Sequence, residues 1–216
     1  MAVTVRHFVG ADFDDSPWRT VLAAVCFQGI ALVLVHIFVR EHEMGWTQAF
    51  GFRNNWKRAV LIGVLGTLLF LPIGWGLQWS SAELMSHFNV EPNQQEAVRA
   101  LEHVEGWVDR LALAGVAIVL APIAEEILFR GVLYSFIRKL GFPALALWST
   151  SLLFALIHWN AMTFMPLLVL AVVLALLYEK TDNLLAPIAM HSLFNALNFV
   201  LFYFGDWFSR FLPSQQ

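Results

Sequence analysis

Two adjacent glutamates and an arginine lie within an apolar stretch of the sequence. Glu125 and Glu126 are followed by Arg130, and the flanking residues on both sides are almost entirely apolar. Ionisable groups in a membrane segment are costly unless they pair or serve a function, so they indicate a candidate functional site. At about 100° per residue, Glu126 and Arg130 share a helix face and can form an ion pair, whereas Glu125 points elsewhere. The sequence therefore leaves Glu125 as the acid that is available for chemistry.

Two histidines in later apolar segments add groups that can transfer protons. Phe154 precedes His158 by four residues, and His191 precedes Asn195 by four, so each pair shares one helix face. A desolvated carboxylate and a histidine can take a proton from water, and an imidazole and an amide N–H can stabilise an oxyanion. Alternatively, Glu125, His158 and His191 could ligate zinc and acidify its bound water. The sequence demands no cofactor and leaves zinc as the alternative.

Each of these groups also has a purely structural interpretation. The two acids and the arginine could form an ion network that fixes helix packing, and His158 could be a hydrogen-bonded histidine at the end of a span. The polar stripe of His191 and Asn195 could bind helices together. Because the groups fall on three separate apolar helices, which can bring them together in a bundle core, we favour one shared site.

The composition is that of a membrane protein. The chain has 216 residues, of which 59% are hydrophobic and 13% charged, and its mean hydropathy is +0.66. Soluble domains are about 45–50% apolar and about 25% charged. The net charge of -3 and the lack of a basic stripe argue against a nucleic-acid partner. Residues 1–16 lack the apolar core of a signal peptide, so we expect the spans themselves to direct insertion.

The hydrophobic pattern predicts an all-α, polytopic helical membrane protein with about six transmembrane helices and short amphipathic surface helices. The predicted spans are 18–39, 59–79, 111–140, 144–159, 162–178 and 184–204. Residues 40–57 are expected to form an amphipathic connector, and residues 80–109 one or two short surface helices. Pro122 is expected to bend or break the third helix beside the acids.

The three motifs together resemble a known family. Glu-Glu-x-x-x-Arg, then Phe-x-x-x-His and then His-x-x-x-Asn, each on its own apolar helix, are similar to the motifs of the CPBP family. This family comprises CAAX prenyl endopeptidases of type II and bacteriocin-processing or abortive-infection proteins. The resemblance covers about residues 110–205. We therefore predict an N-terminal two-span region at 1–105 and a CPBP-like catalytic core at 106–216.

The resemblance implies an intramembrane endopeptidase that hydrolyses a peptide bond of a membrane-associated protein or peptide, which could be lipidated. It implies that Glu125 and His158 activate water and that His191 and Asn195 form the oxyanion site, with Glu126, Arg130 and Phe154 in support. The expected location is a bacterial cytoplasmic membrane, with the lipid bilayer as a partner. The competing hypotheses are a non-catalytic immunity or scaffold protein and a proton relay or transporter.

Overall fold

The computed structural model describes residues 17–53, 55–90, 104 and 106–209, with side chains as far as residue 204. This part of the chain is helical throughout, apart from its turns and connectors, and contains no strand. The helices are α1 (Pro17–Glu41), α2 (Trp46–Ala49), α3 (Trp56–His87), α4 (Trp107–Lys139), α5 (Pro143–Leu156), α6 (Ala161–Thr181) and α7 (Leu185–Ser209). The prediction of an all-α polytopic membrane protein is confirmed.

Five of the described helices are long and apolar enough to cross a membrane, and α5 is not. The sequence predicted a span over 144–159, but α5 ends at Leu156 and has 14 residues. Such a helix is about 21 Å long, which is less than the roughly 30 Å of a hydrocarbon core. His158 therefore lies in the turn after α5 and not within the helix.

The polar stretch after the second span differs from the prediction at its start. Residues 80–87 continue α3 as one helix of 32 residues instead of forming a separate surface helix. Ser80 and Ser86 support this extension, because their hydroxyls donate to the helix carbonyls of Gly76 and Glu83 at 2.8 and 2.7 Å. The remainder of this predicted segment, over 91–103 and at 105, lies outside the described residues.

The connector between α1 and α3 packs against the helical bundle. Phe50 is 3% exposed and packs in a core cluster with Val35, Ile127 and Leu184. Its carbonyl accepts a hydrogen bond from the Leu184 N–H at 3.1 Å. The segment predicted as an amphipathic surface connector thus contributes a buried aromatic side chain to the core.

The helix α3 packs against both α6 and α7. Phe70 of α3 clusters with Leu174 of α6 and Met190 of α7. The buried Thr67 hydroxyl donates to the Met190 carbonyl at 3.1 Å, which adds a polar contact between α3 and α7. The N-terminal region and the motif-bearing helices therefore pack closely against each other, and the proposed division at residue 105 stays a prediction.

A close approach of α3 to α7 depends on Gly63. A methyl group at Gly63 would overlap the Ala186 carbonyl oxygen, whereas one at Gly76 on the same helix would meet nothing within 4 Å. We predict that Gly63→Ala lowers the free energy of unfolding by about 1–3 kcal/mol, the usual cost of overpacking. Gly76→Ala is the matched control and should be neutral or stabilising by up to about 1 kcal/mol. Equal unfolding midpoints of the two variants in detergent would contradict the close packing.

Candidate active site

The helix α4, which bears the two glutamates, contains two π-helical segments. They cover Gly115–Leu120 and Ile127–Tyr134 and flank the α-helical turn Ala121–Glu126. The helix runs through Pro122 without ending there, so no break occurs, and the expected bend at Pro122 stays a prediction. Wide turns of this kind are frequently found at functional sites, because they change the direction of side chains and release backbone groups.

One carbonyl in α4 loses its backbone donors at this transition. The Ala121 N–H, the α-helical donor for Ala117, donates to the Val116 carbonyl instead. The π-helical donor for Ala117 would be residue 122, which is a proline and has no N–H. The side-chain amide of Asn195 donates to the Ala117 carbonyl at 2.9 Å. Asn195 therefore joins α7 to α4 where the backbone pattern changes.

Glu126 and Arg130 form a buried ion pair, as their helical spacing predicts. Arg130 Nη1 donates to Glu126 Oε1 at 2.8 Å, and the two side chains are 1% and 0% exposed. Arg130 Nη2 also donates to the Ala171 carbonyl of α6 at 2.9 Å. The Nδ1–H of His191, which lies on α7, donates to the same Glu126 oxygen at 2.9 Å. Glu126 is thus held by α4 and α7 and cannot readily move.

Glu125 has a different environment. Its side chain is 22% exposed, and it has no hydrogen-bond partner among the described residues. Its Oε2 lies 3.9 Å from His191 Nε2, which is too far for a direct hydrogen bond. Because His191 donates through Nδ1 to Glu126, its Nε2 faces the neighbouring acid. The imidazole therefore links a fixed carboxylate to an accessible one.

His158 and Phe154 complete the arrangement from α5. The His158 Nδ1–H donates to the Phe154 carbonyl at 2.6 Å, which leaves Nε2 as the available nitrogen. The Phe154 ring is fully buried and lies 4.8 Å from the His158 ring and 5.8 Å from the His191 ring, between centroids. The Arg130 guanidinium stacks 4.9 Å from its centroid. Phe154 thus separates the two histidines and covers the ion pair with an apolar surface.

The structure brings all seven residues singled out by the sequence into one region between α4, α5 and α7. Glu126, Arg130, His191 and Phe154 are in direct contact with one another or with a shared partner. His158 reaches this group through the Phe154 ring, and Glu125 lies 3.9 Å from His191. The sequence did not predict that Asn195 would bind the α4 backbone. Pro122 could have indicated it, because a proline has no N–H to donate to the carbonyl of Ala117, five residues earlier.

The described residues do not form a preorganised metal site. No group of three His, Cys, Asp or Glu side chains among them is placed to hold one metal ion. Glu125, His158 and His191, the zinc ligands that the sequence would offer, therefore do not form such a group in this conformation. The Nδ1 atoms of His158 and His191 are hydrogen-bonded to Phe154 and to Glu126, which leaves each Nε2 available.

An apolar cavity opens beside α4 on the side of α1. Its volume is about 260 Å³. The lining residues are Ala31, Leu34, Val35 and Phe38 of α1 and Leu128 and Val132 of α4. Leu128 lies three residues after Glu125, so the cavity begins about one helical turn from the accessible acid.

The fold and the site together define a class of protein: an integral membrane protein whose ionisable groups converge inside a helical bundle. Residues 107–197 match the family model described as Type II CAAX prenyl endopeptidase Rce1-like. The match confirms, over this segment, the resemblance to the CPBP family.

Two bacterial relatives show further similarity. Over 83 residues the chain is 35% identical to the uncharacterized protein YpbD of Bacillus subtilis, which covers 37% of this chain and 40% of that protein. The chain thus spans less than half the length of YpbD. It is 28% identical over 188 residues to the UPF0177 protein YxdF of Lactococcus lactis, covering 85% of this chain and 99% of YxdF. No solved structure is significantly similar to the chain.

The two acids should differ in their contribution to stability. Arg130→Met would leave Glu126 buried without its cation, and breaking such a pair costs about 3–5 kcal/mol. Glu125→Gln removes no hydrogen bond to a described residue, so we expect it to cost less than about 1 kcal/mol. Denaturant unfolding in detergent micelles would measure both.

A double variant, Glu126→Gln with Arg130→Met, serves as the control for this comparison. It removes both charges together and should recover much of the stability lost in Arg130→Met. If Glu125→Gln unfolded as readily as Arg130→Met, both acids would belong to one structural ion network.

Proposed function

We propose that the chain is an intramembrane endopeptidase in which Glu125 activates the water that attacks a peptide bond. The observation that carries this proposal is the contrast between two neighbouring acids. Glu126 is fully buried and held by Arg130 and His191, whereas Glu125 is partly exposed and has no hydrogen-bond partner among the described residues. A general base needs an oxygen that can reach water, and Glu125 has one.

In the proposed reaction, Glu125 takes a proton from water while the water oxygen bonds to the substrate carbonyl carbon. The C–N bond then breaks, and the leaving amine receives a proton from Glu125 or His158. His158 suits this step because its Nδ1–H is already bonded to Phe154, which directs Nε2 as the exchanging nitrogen. No covalent enzyme intermediate is required.

Asn195 and His191 are the proposed oxyanion site. One N–H of the Asn195 amide donates to Ala117, which fixes the side chain, and its second N–H can donate to the developing oxyanion. His191 can donate through Nε2 in the state in which both ring nitrogens carry protons. Because Asn195 is already fixed by α4, little reorganisation is needed when charge develops.

We propose that the reaction proceeds without a metal ion. This rests on the absence of a three-ligand group among the described residues. Zinc on Glu125, His158 and His191 is the competing proposal; a zinc ion bound there would acidify a water molecule.

The proposed substrate is a membrane-associated protein or peptide, lipidated or not, and the proposed location is a bacterial cytoplasmic membrane. The five span-length apolar helices support cleavage at or within the bilayer. Both similar proteins come from bacteria, which supports the bacterial location.

Glu125→Gln should abolish proteolysis while leaving the protein folded. The amide is nearly the same size as the carboxylate but cannot accept the proton from water, so turnover should fall by at least about 100-fold. Host membranes carrying the wild type or the variant at equal expression can be compared by mass spectrometry of protein termini. Termini that form only with the wild type would also identify the substrate.

Glu83→Gln is the matched control, because Glu83 is an exposed glutamate near the end of α3. It should produce the same termini as the wild type. Identical termini from the wild type and folded Glu125→Gln would contradict the proposed peptidase and favour an immunity or scaffold role.

Chelation distinguishes the two proposals for water activation. We expect the wild-type termini to form equally well after treatment with EDTA or 1,10-phenanthroline, because protein side chains alone activate the water. Elemental analysis of the purified protein should find well below one zinc ion per chain. One zinc per chain, lost together with activity and restored by added zinc, would establish the metal-dependent mechanism.

A further inference from the structure

Gln28 is a buried polar residue in the middle of α1, outside the segment that matches the family model. Its side chain is 9% exposed, and its Oε1 has no hydrogen-bond partner among the residues that the structure describes. The other buried residues of α1 are all valines: Val21, Val35 and Val39. An amide buried without a partner in an apolar setting costs free energy, so its presence requires an explanation.

Two apolar clusters fix the position of Gln28 relative to α4. Near the start of α1, Val21 belongs to a cluster with Leu113, and near its end Val35 belongs to a cluster with Ile127. The second pair lies 14 residues after the first along both helices, so α1 and α4 run parallel. Gln28 is midway between its two valines and therefore lies level with about residue 120 of α4.

The same clusters include α7, which runs in the opposite direction. Phe199 of α7 packs in the first cluster, and Leu184, the residue before α7, packs in the second, so His191 lies about midway between the two clusters. Gln28 and His191 thus lie at about the same level along the bundle, and this layer is flanked by the two apolar clusters. Glu125 joins this layer, since its Oε2 lies 3.9 Å from His191 Nε2, and Asn195 lies one turn further along α7.

We propose that Gln28 is a positioning residue of this site and that its side-chain amide hydrogen-bonds the substrate backbone beside the scissile bond. A glutamine side chain carries the same donor and acceptor as a peptide group, so it can pair with an extended peptide. The apolar cavity between α1 and α4 begins at Ala31, one turn from Gln28, and gives an apolar segment access from the bilayer side. This inference rests on the proposed peptidase function.

The proposal predicts that replacing Gln28 by an apolar residue lowers activity without lowering stability. If Gln28 held helices together, its removal would lower the unfolding midpoint. Its acceptor is unpaired, however, so an apolar residue of similar length should leave the midpoint unchanged or raise it. Turnover should fall at the same time, because the substrate loses a partner.

The test compares four versions of the full chain: wild type, Gln28→Met, Glu125→Gln and Cys26→Ala. Cys26 is exposed on α1 and is the control for a neutral change in the same helix. Product termini in host membranes identify the substrate, and a synthetic peptide spanning the cleavage site then gives kcat and KM in detergent or nanodiscs. Gln28→Met should lower kcat/KM by about three- to tenfold, mainly through KM, as expected for one neutral hydrogen bond.

The outcomes separate this inference from the peptidase itself. Normal cleavage by Gln28→Met, with none by Glu125→Gln, would overturn the role of Gln28 and leave the peptidase intact. A lower unfolding midpoint of Gln28→Met, in proportion to lost activity, would make Gln28 structural and also overturn the proposal. Identical termini from the wild type and Glu125→Gln would contradict the peptidase and, with it, the role of Gln28.

Discussion

The buried ion pair of Glu126 and Arg130 constrains the rest of the structure. Burying two charges that are at most 1% exposed in an apolar bundle is costly, and hydrogen bonds offset part of that cost. Glu126 Oε2 and Arg130 Nε have no hydrogen-bond partner among the described residues, so the offset comes from the remaining atoms of the pair. Arg130 therefore binds Ala171 of α6, and Glu126 binds His191 of α7. These contacts orient three helices around one carboxylate, and they fix where the neighbouring Glu125 points.

A change in backbone geometry accompanies this constraint. The α4 helix widens into π turns before and after the turn that carries both acids. The widening, together with Pro122, releases the Ala117 carbonyl, and Asn195 binds it. The side chain of Asn195, for which we propose a role as an oxyanion donor, thus also stabilises the irregular backbone of α4. Both roles are compatible because an amide nitrogen carries two protons.

Most of the fold could be predicted because span length, apolar composition and helical spacing are local properties of the sequence. The pairing of Glu126 with Arg130 follows from their spacing of four residues. The short α5, the continuation of α3 to His87 and the π turns could not be predicted in this way. They depend on contacts between helices and on hydrogen bonds that a helical projection at 100° per residue does not contain.

The two adjacent glutamates show how one helix can give the same type of side chain two environments. A rotation of about 100° separates them, so Glu126 faces Arg130 while Glu125 faces the side where 22% of its surface remains accessible. His191 contacts the first through Nδ1 and approaches the second through Nε2. The fixed acid orients the imidazole, and the imidazole in turn lies beside the accessible acid. The buried charge of Glu126 thereby supports the imidazole that lies beside the accessible acid, for which we propose a catalytic role.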